Sequence, residues 1–271
     1  MRIPLLLSAL TLAVTPAMSD TIEARLGTTE FHDASIAHAP DDGVVRLFGA
    51  GGPHTAIAKV AEVWEGKTGN RVVITAGPEH RWTSDAQESA DILWGTSQQS
   101  MAAFLLTYTS FKLDDAEPIY LRPTVIAVRA GNPKGIRGFD DLLAEGVRIV
   151  VTEGAGVYNT SGTGLWEDVA GRLGSLQDLR KFKGNIVSYA LGSGASYREF
   201  ERSNVDAWIT WPNWPTVKDD LEMVKLEPHR TVYRDLSVVL SSKADPEAKQ
   251  FLDFLVSAEA QYIMASEGWE R

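Results

Sequence analysis

The residues of this chain with the most chemistry in them are small, hydroxylated or cationic, and they sit in short turns. Gly49-Ala50-Gly51-Gly52-Pro53 separates an apolar run from a helix-spaced run, so His54 and Thr55 open the helix. Proline suits the first helical position because its missing N–H has no helical partner there. The N–H groups that follow, at the positive end of the helix dipole, make a site for an anion. Gly52, Pro53, His54 and Thr55 are therefore ligand candidates, although a strand-to-helix turn of this kind also occurs without any ligand. In the turn Ala76–Trp82, Arg81 offers a planar cationic fork that fits a carboxylate or a sulfate-type anion, with Trp82 as a wall. The alternative for Arg81 is a solvated surface charge. Thr96 and Ser97, after Ile92-Leu93-Trp94, can donate to an anion or cap the next helix. The stretch Gly154–Trp166 brings Tyr158, Thr160, Ser161 and Thr163 to another helix start, or is a plain long loop. Trp208, Trp211 and Trp214 fall within seven residues; at least one belongs to a core, and Trp211 is the candidate cleft wall.

These groups bind; none of them carries an obvious reaction. The five histidines form neither HExxH nor a close metal pair, no GxSxG elbow is present, and Gly49–Gly52 lacks the GxGxxG spacing and is followed by no Walker lysine. With no cysteine, thiolate-based zinc and iron–sulfur sites are excluded. No metal or cofactor is expected. A net charge of −10 argues against nucleic acid as a partner, and any anion site must be local: helix ends, hydroxyls and one or two placed cations.

Strand and helix patterns alternate along the chain that positions these turns. Strands are expected from Val44, at Arg71–Ala76, Asp91–Trp94, Thr124–Arg129, Arg148–Thr152, Ile186–Ala190 and Asp206–Trp211. Helices are expected after Pro53 and over Gln98–Leu106 and Leu165–Leu173, the last with Leu165, Trp166, Val169, Ala170 and Leu173 on one face. Ser196-Tyr197-Arg198-Glu199 has capping-box spacing and should start a helix. Asp245-Pro246-Glu247 starts another, and Ser257 caps the last. The alternation means an α/β protein with mainly parallel sheets. Ligands of such sheets bind beyond the carboxyl ends of the strands, the edge that the turns after the first three strands share. The glycine turn at 49–64 is echoed at 154–173, as two lobes facing one cleft would require.

Residues 1–19 read as a secretory signal: Arg2, an apolar run from Leu5 to Val14, then Ala17-Met18-Ser19 before Asp20. The run is too short for a stable anchor, and the absence of cysteine removes the lipoprotein route. The expected address is the periplasm of a Gram-negative bacterium.

The ordered set Phe48-Gly49-Ala50-Gly51-Gly52-Pro53, Ala76-Gly77-Pro78, Ala90-Asp91-Ile92-Leu93, Tyr120-Leu121-Arg122-Pro123, Gly131-Asn132-Pro133-Lys134, Gly164-Leu165-Trp166-Glu167-Asp168 and Asp206-Ala207-Trp208-Ile209 resembles the accessory colonization factor AcfC group. That group looks like a branch of the periplasmic binding proteins related to the molybdate and sulfate binders. The resemblance covers roughly Val44 to Trp269 and implies a type II, two-lobe α/β fold with the ligand cleft between lobes, joined by two crossovers, and a small anionic ligand. The loop Val157–Ser161 is longer than the group's pattern. The expected organisation is a signal at 1–19, an N-terminal arm at 20–43, lobe 1 from 44–122 plus 237–271, and lobe 2 from 123–236. The expected function is capture of a sulfate- or molybdate-type oxyanion by lobe closure, for uptake through an inner-membrane permease or for presentation to a chemoreceptor. The alternatives are a binder of a small organic acid or acidic amino acid, and an enzyme on the same fold. No catalytic residue is proposed, and a monomer is expected. Intact-mass measurement on the exported protein should show a chain beginning at Asp20 with no lipid increment; retention of residues 1–19 would count against the signal.

Overall fold

The computed structural model describes residues 42–77, 79–105, 107–108, 110–154, 162–202 and 204–271. The signal, the arm up to residue 41 and the loop Val157–Ser161 lie outside these residues. Ten strands and nine α-helices occur among the described residues. Strands β1 (Val44–Gly49), β2 (Arg71–Ala76), β3 (Ile92–Gly95), β4 (Glu117–Pro123) and β10 (Tyr233–Leu240) make one sheet, in the order β2-β1-β3-β10-β4. Strands β5 (Val125–Arg129), β6 (Ile149–Glu153), β7 (Ile186–Leu191), β8 (Ala207–Thr210) and β9 (Leu221–Lys225) make the other, in the order β7-β6-β8-β5-β9. The helices are α1 (His54–Thr68), α2 (Thr83–Ser89), α3 (Gln98–Leu105), α4 (Leu165–Ala170), α5 (Leu176–Asn185), α6 (Ser193–Arg202), α7 (Asn213–Val217), α8 (Pro246–Leu255) and α9 (Ala258–Ser266).

Each sheet is mixed, where mainly parallel pairing was expected. Strand β1 runs parallel to β2 and β3, but β10 runs antiparallel to β3 and β4. In the second sheet β6 is parallel to β7 and β8, while β5 is antiparallel to β8 and β9. The antiparallel strands surround the two places where the chain passes from one sheet to the other, β4 to β5 and Val232 to β10. Those passages are bonded to each other: Thr124 N–H donates to the Val232 carbonyl at 2.8 Å, and Val232 N–H donates to Thr124 Oγ1 at 3.0 Å. We propose a lobe division close to the expected one, with the second boundary just before Tyr233, since all of β10 pairs in the first sheet.

Each sheet has its own apolar core. In the first, α1 buries Ala56, Ile57, Val60, Ala61 and Trp64 at the expected helical spacing. The end of the chain returns here: Phe251, Leu255, Met264 and Trp269 pack in the same core, and Trp64 meets Phe251 edge-on at 5.3 Å. In the second, Phe139, Trp166 and Phe182 stack in series beside Val151, Leu165 and Val169.

Two local expectations are corrected. Helix α4 ends at Ala170, followed by Gly171 and Gly174, and Leu173 is exposed rather than on the buried face. Ser196 does not start a helix. Helix α6 begins three residues earlier, after Gly192 at φ 83°, and Ser196 lies buried within it, its hydroxyl 2.7 Å from that of Thr152. The motif's spacing recurs inside helices, and glycine's access to positive φ moved the start upstream. By contrast, Asp245 immediately precedes α8 with Pro246 in its first turn, and Ser257 Oγ accepts from Ala260 N–H at the start of α9.

Asp91 joins the first sheet to α8. Fully buried, it accepts from Arg46 N–H at 2.8 Å and from Asp245 N–H at 2.9 Å. Asp91→Ala should lower stability by about 1.5–3 kcal/mol in urea denaturation, because hydrogen bonds to a charged acceptor are lost and their buried donors are left unsatisfied. A change below about 0.5 kcal/mol, the scale of ordinary surface substitutions, would contradict this.

Candidate functional site

The strand register brings the predicted turns to common edges. Gly49 lies beside Ala76 on one side and Trp94 on the other, so the turns after β1, β2 and β3 emerge together. Gly77 N–H bonds to the Gly49 carbonyl, and Trp94 Nε1 donates to Ala50 O at 2.8 Å, tying the three turns into one surface. In the second sheet β6, β7 and β8 run the same way, so Gly154, Gly192 and Trp211 follow their carboxyl ends. Val125 pairs with Thr210, which puts that edge at the crossover.

At the first edge, Pro53 is buried and directly precedes α1 rather than forming its first residue; its carbonyl accepts from Ile57 N–H at 2.9 Å. The helix starts with N–H groups that have no carbonyl one turn back. His54, half-buried, folds back so that Nδ1 accepts from Gly52 N–H at 3.1 Å. Burial holds the His54 imidazole below its ordinary value, so it is neutral near pH 7. Thr55 is half-buried beside it. Thr96 and Ser97 are buried after β3, and both of their N–H groups bond to Ser100 Oγ. Part of that polarity thus caps α3. Arg81 is exposed at the end of a 3₁₀ turn, Glu79–Arg81, while its neighbour Trp82 turns inward, with Nε1 on the Gly77 carbonyl.

At the second edge, Thr163 is half-buried and precedes a helix of only six residues. Gly162 packs closely over this edge: a Cβ there would stand 3.1 Å from Ser193 Oγ and 3.3 Å from Thr152 Cγ2. Beneath it Trp208 Nε1 donates to Thr152 Oγ1 at 3.1 Å. Trp208 and Trp211 are both buried, whereas Trp214 is half-buried and stacks on Tyr197.

The group that links the two edges is Arg122, near the end of β4, absent from the sequence-based candidates. It is almost fully buried. Its guanidinium carbon lies 4.3 Å from the Trp211 ring centroid and 4.9 Å from that of Trp269. A Cβ on Gly52 would come within 3.2 Å of Arg122 Nη1, so the cation lies against the turn that opens α1. Gly268 packs on Pro212, where a Cβ would collide at 2.4 Å; the end of the chain thus touches the second lobe beside the same cation. Burial pushes Arg122 down to about 9, with the nearby Arg234 lowering it further and Asp235 opposing. Arg234, its cross-strand partner, reaches α4 through Asp168 at 2.6 Å. One sequence signal could have found Arg122: an arginine inside the apolar run Ile119–Val128, just before a proline.

A buried arginine beside the positive end of a helix is a setting that favours negative charge. Among the described residues no cluster of metal-ligating side chains occurs, and no helix is long and apolar enough to cross a membrane.

Two mixed sheets joined by two adjacent crossovers, with carboxyl edges meeting at a buried cation, define a two-lobe binding protein. The comparison with known families agrees: residues 45–270 match the bacterial extracellular solute-binding protein family, and the chain belongs to it. Peb3 from Campylobacter jejuni is 39% identical, with a TM-score of 0.78 over 84% of this chain and 99% of that one. A structure of PEB3 with L-phospholactate bound gives 38% identity and a TM-score of 0.79 over the same shares. The sulfate-binding protein SubI from Mycobacterium tuberculosis shares the fold at 16% identity and a TM-score of 0.65, over 83% of this chain and 86% of that one. A thiosulfate-binding protein of Pseudomonas aeruginosa is 27% identical over 168 residues, 53% of this chain, so the chain spans about half (48%) of the length of that curated relative.

The lowered His54 pKa has a sign that can be tested. The unfolded chain takes up this proton more readily than the folded one, so stability is greatest above the ordinary histidine value and falls as pH drops through it. Comparing urea midpoints at about pH 7.5 and 5.5, on either side of that value, His54→Gln should lose less stability on acidification than the parent chain. Equal losses would show that His54 does not titrate in this way.

Proposed function

We propose that this protein is a periplasmic solute-binding protein that closes its lobes on a small organic anion bearing a phosphoryl or similar tetrahedral oxyanion group. The observation that carries this is Arg122, a buried cation set between two tryptophans and against the N-terminal turn of α1. Charge-assisted hydrogen bonds from a planar fork and from helix N–H groups suit a phosphoryl or carboxylate oxygen. Gly52, Pro53, His54, Thr55, Thr96 and Ser97 would line the first-lobe side. Thr163 and Trp211 would line the second, and Arg81 would stand at the mouth. The aromatic surface around the cation supports an organic body on the ligand, since such sites pair an apolar lining with a few placed polar groups. L-phospholactate, named with the PEB3 structure, combines a phosphoryl group, a carboxylate and a small apolar part.

A bare inorganic oxyanion is the second reading, favoured by the thiosulfate-binding relative and by the sequence resemblance. Binding without turnover fits the absence of a catalytic constellation in the sequence. The partner is then an inner-membrane permease or a chemoreceptor that reads the closed form, and the protein acts as a monomer.

Calorimetric titration with L-phospholactate, lactate, phosphate, sulfate, thiosulfate and molybdate tests the proposal. L-phospholactate should bind most tightly, and Arg122→Ala should weaken it by about 1.5–3 kcal/mol, the range for hydrogen bonds to charged groups. Tight sulfate, thiosulfate or molybdate binding that L-phospholactate cannot displace would favour the inorganic reading. Unchanged affinity in Arg122→Ala would remove the carrying observation.

A further inference from the structure

We propose that Trp269 is a positioning residue for anion binding: its ring, carried by the segment Glu267–Arg271, holds the Arg122 guanidinium in place before the lobes close. This rests on the anion-binding reading above. Arg122 lies over two indoles, and they belong to different lobes. Trp211 packs in the second core, its ring centroid 4.3 Å from the guanidinium carbon. Trp269 packs in the first core, at 4.9 Å. Arg122 itself belongs to β4 of the first sheet. Any parting of the lobes therefore takes Trp211 from the cation and leaves Trp269 on it. An arginine side chain has several rotatable bonds, and fixing them at the moment of binding weakens affinity. A ring that already holds the guanidinium, by a cation–π attraction that is stronger away from water, removes part of that cost.

The segment that carries the ring is fastened beside the cation. Glu270 N–H donates to the Leu121 carbonyl and Leu121 N–H to the Glu270 carbonyl, both at 2.7 Å, so an antiparallel bridge joins β4 immediately before Arg122. Trp269 N–H donates to the Met264 carbonyl at 3.1 Å, and Arg271 Nη1 donates to the Val256 carbonyl at 2.6 Å. Glu267, almost fully buried, pairs with Lys59 of α1. Gly268 turns the backbone at φ 84°, and a Cβ there would stand 2.4 Å from that of Pro212. Glycine is required on both counts. These bonds are made by the backbone of the segment and by the side chains on either side of the ring. A change confined to the ring therefore tests its contact with Arg122 and leaves the fastenings of the segment in place.

Calorimetric titration with L-phospholactate and with inorganic phosphate, at a temperature where each variant is folded by circular dichroism, tests this. Trp269→Leu removes the aromatic face and should bind roughly fivefold or more weakly, the scale of a desolvated cation–π contact. Trp269→Phe restores that face and should bind within about twofold of the parent chain. In an Arg122→Ala background, Trp269→Leu should weaken binding by less than about twofold further, because the ring acts through the guanidinium. A purely structural role of the ring gives the same loss in both backgrounds, and with it the inference is overturned while the anion-binding reading stands. The inference is equally overturned if Trp269→Leu binds as the parent chain does, or if Trp269→Phe binds as weakly as Trp269→Leu. If neither probe binds the parent chain, both fall. Should Trp269→Leu fail to fold, the parent chain labelled with ¹⁵N-arginine decides. Without ligand, the Arg122 guanidinium N–H resonance, assigned by its loss in Arg122→Ala, should be sharp and shifted upfield by the ring. A broad resonance, or one at the random-coil position, overturns the inference.

Discussion

A buried cation stands where the two sheets of this molecule connect. Arg122 stands at the crossover, stripped of water and flanked by the rings of Trp211 and Trp269. Cation–π contact offsets part of the desolvation, and more strongly away from water than at a surface. Burial nevertheless drives the group down to about 9. Placing that cation against the opening turn of α1 adds two positive ends together.

The cation is also where the two lobes and the chain terminus meet. Arg122 belongs to β4 in the first sheet, Trp211 follows β8 in the second, and Trp269 comes after the last helix. The Gly268 contact with Pro212 exists because glycine has no side chain to keep the backbones apart. Around this point the backbone is cross-braced: Thr124 and Val232 exchange two hydrogen bonds, and Leu121 pairs with Glu270.

Fold and site were unequally readable from the residues. Helix α1 and strands β1 to β3 stood out because a 3.6 period and short apolar runs are local properties, and Trp64 four residues after Val60 needs no distant partner to be recognised. Strands β4, β9 and β10 did not stand out. Their burial follows from neighbours far away in sequence, and β9 exposes most of its residues. The Ser196 motif misled because its spacing also occurs inside helices, and here Gly192 lets the helix start three residues earlier.

The sequence by itself determined the family, the alternation of strands and helices and the set of glycine and hydroxyl turns at strand ends. These depend on residue type and short spacing, which the chain carries in one dimension. Only the tertiary structure decided which polar groups meet. It buried Arg122 against Trp211 and Trp269, left Arg81 exposed and turned the His54 ring back onto Gly52. The physical reason is that a cation's role depends on solvent and on the charges and rings around it. At Arg122 those surroundings come from residues up to 147 positions away, brought together only by the pairing of two sheets and the return of the last helix.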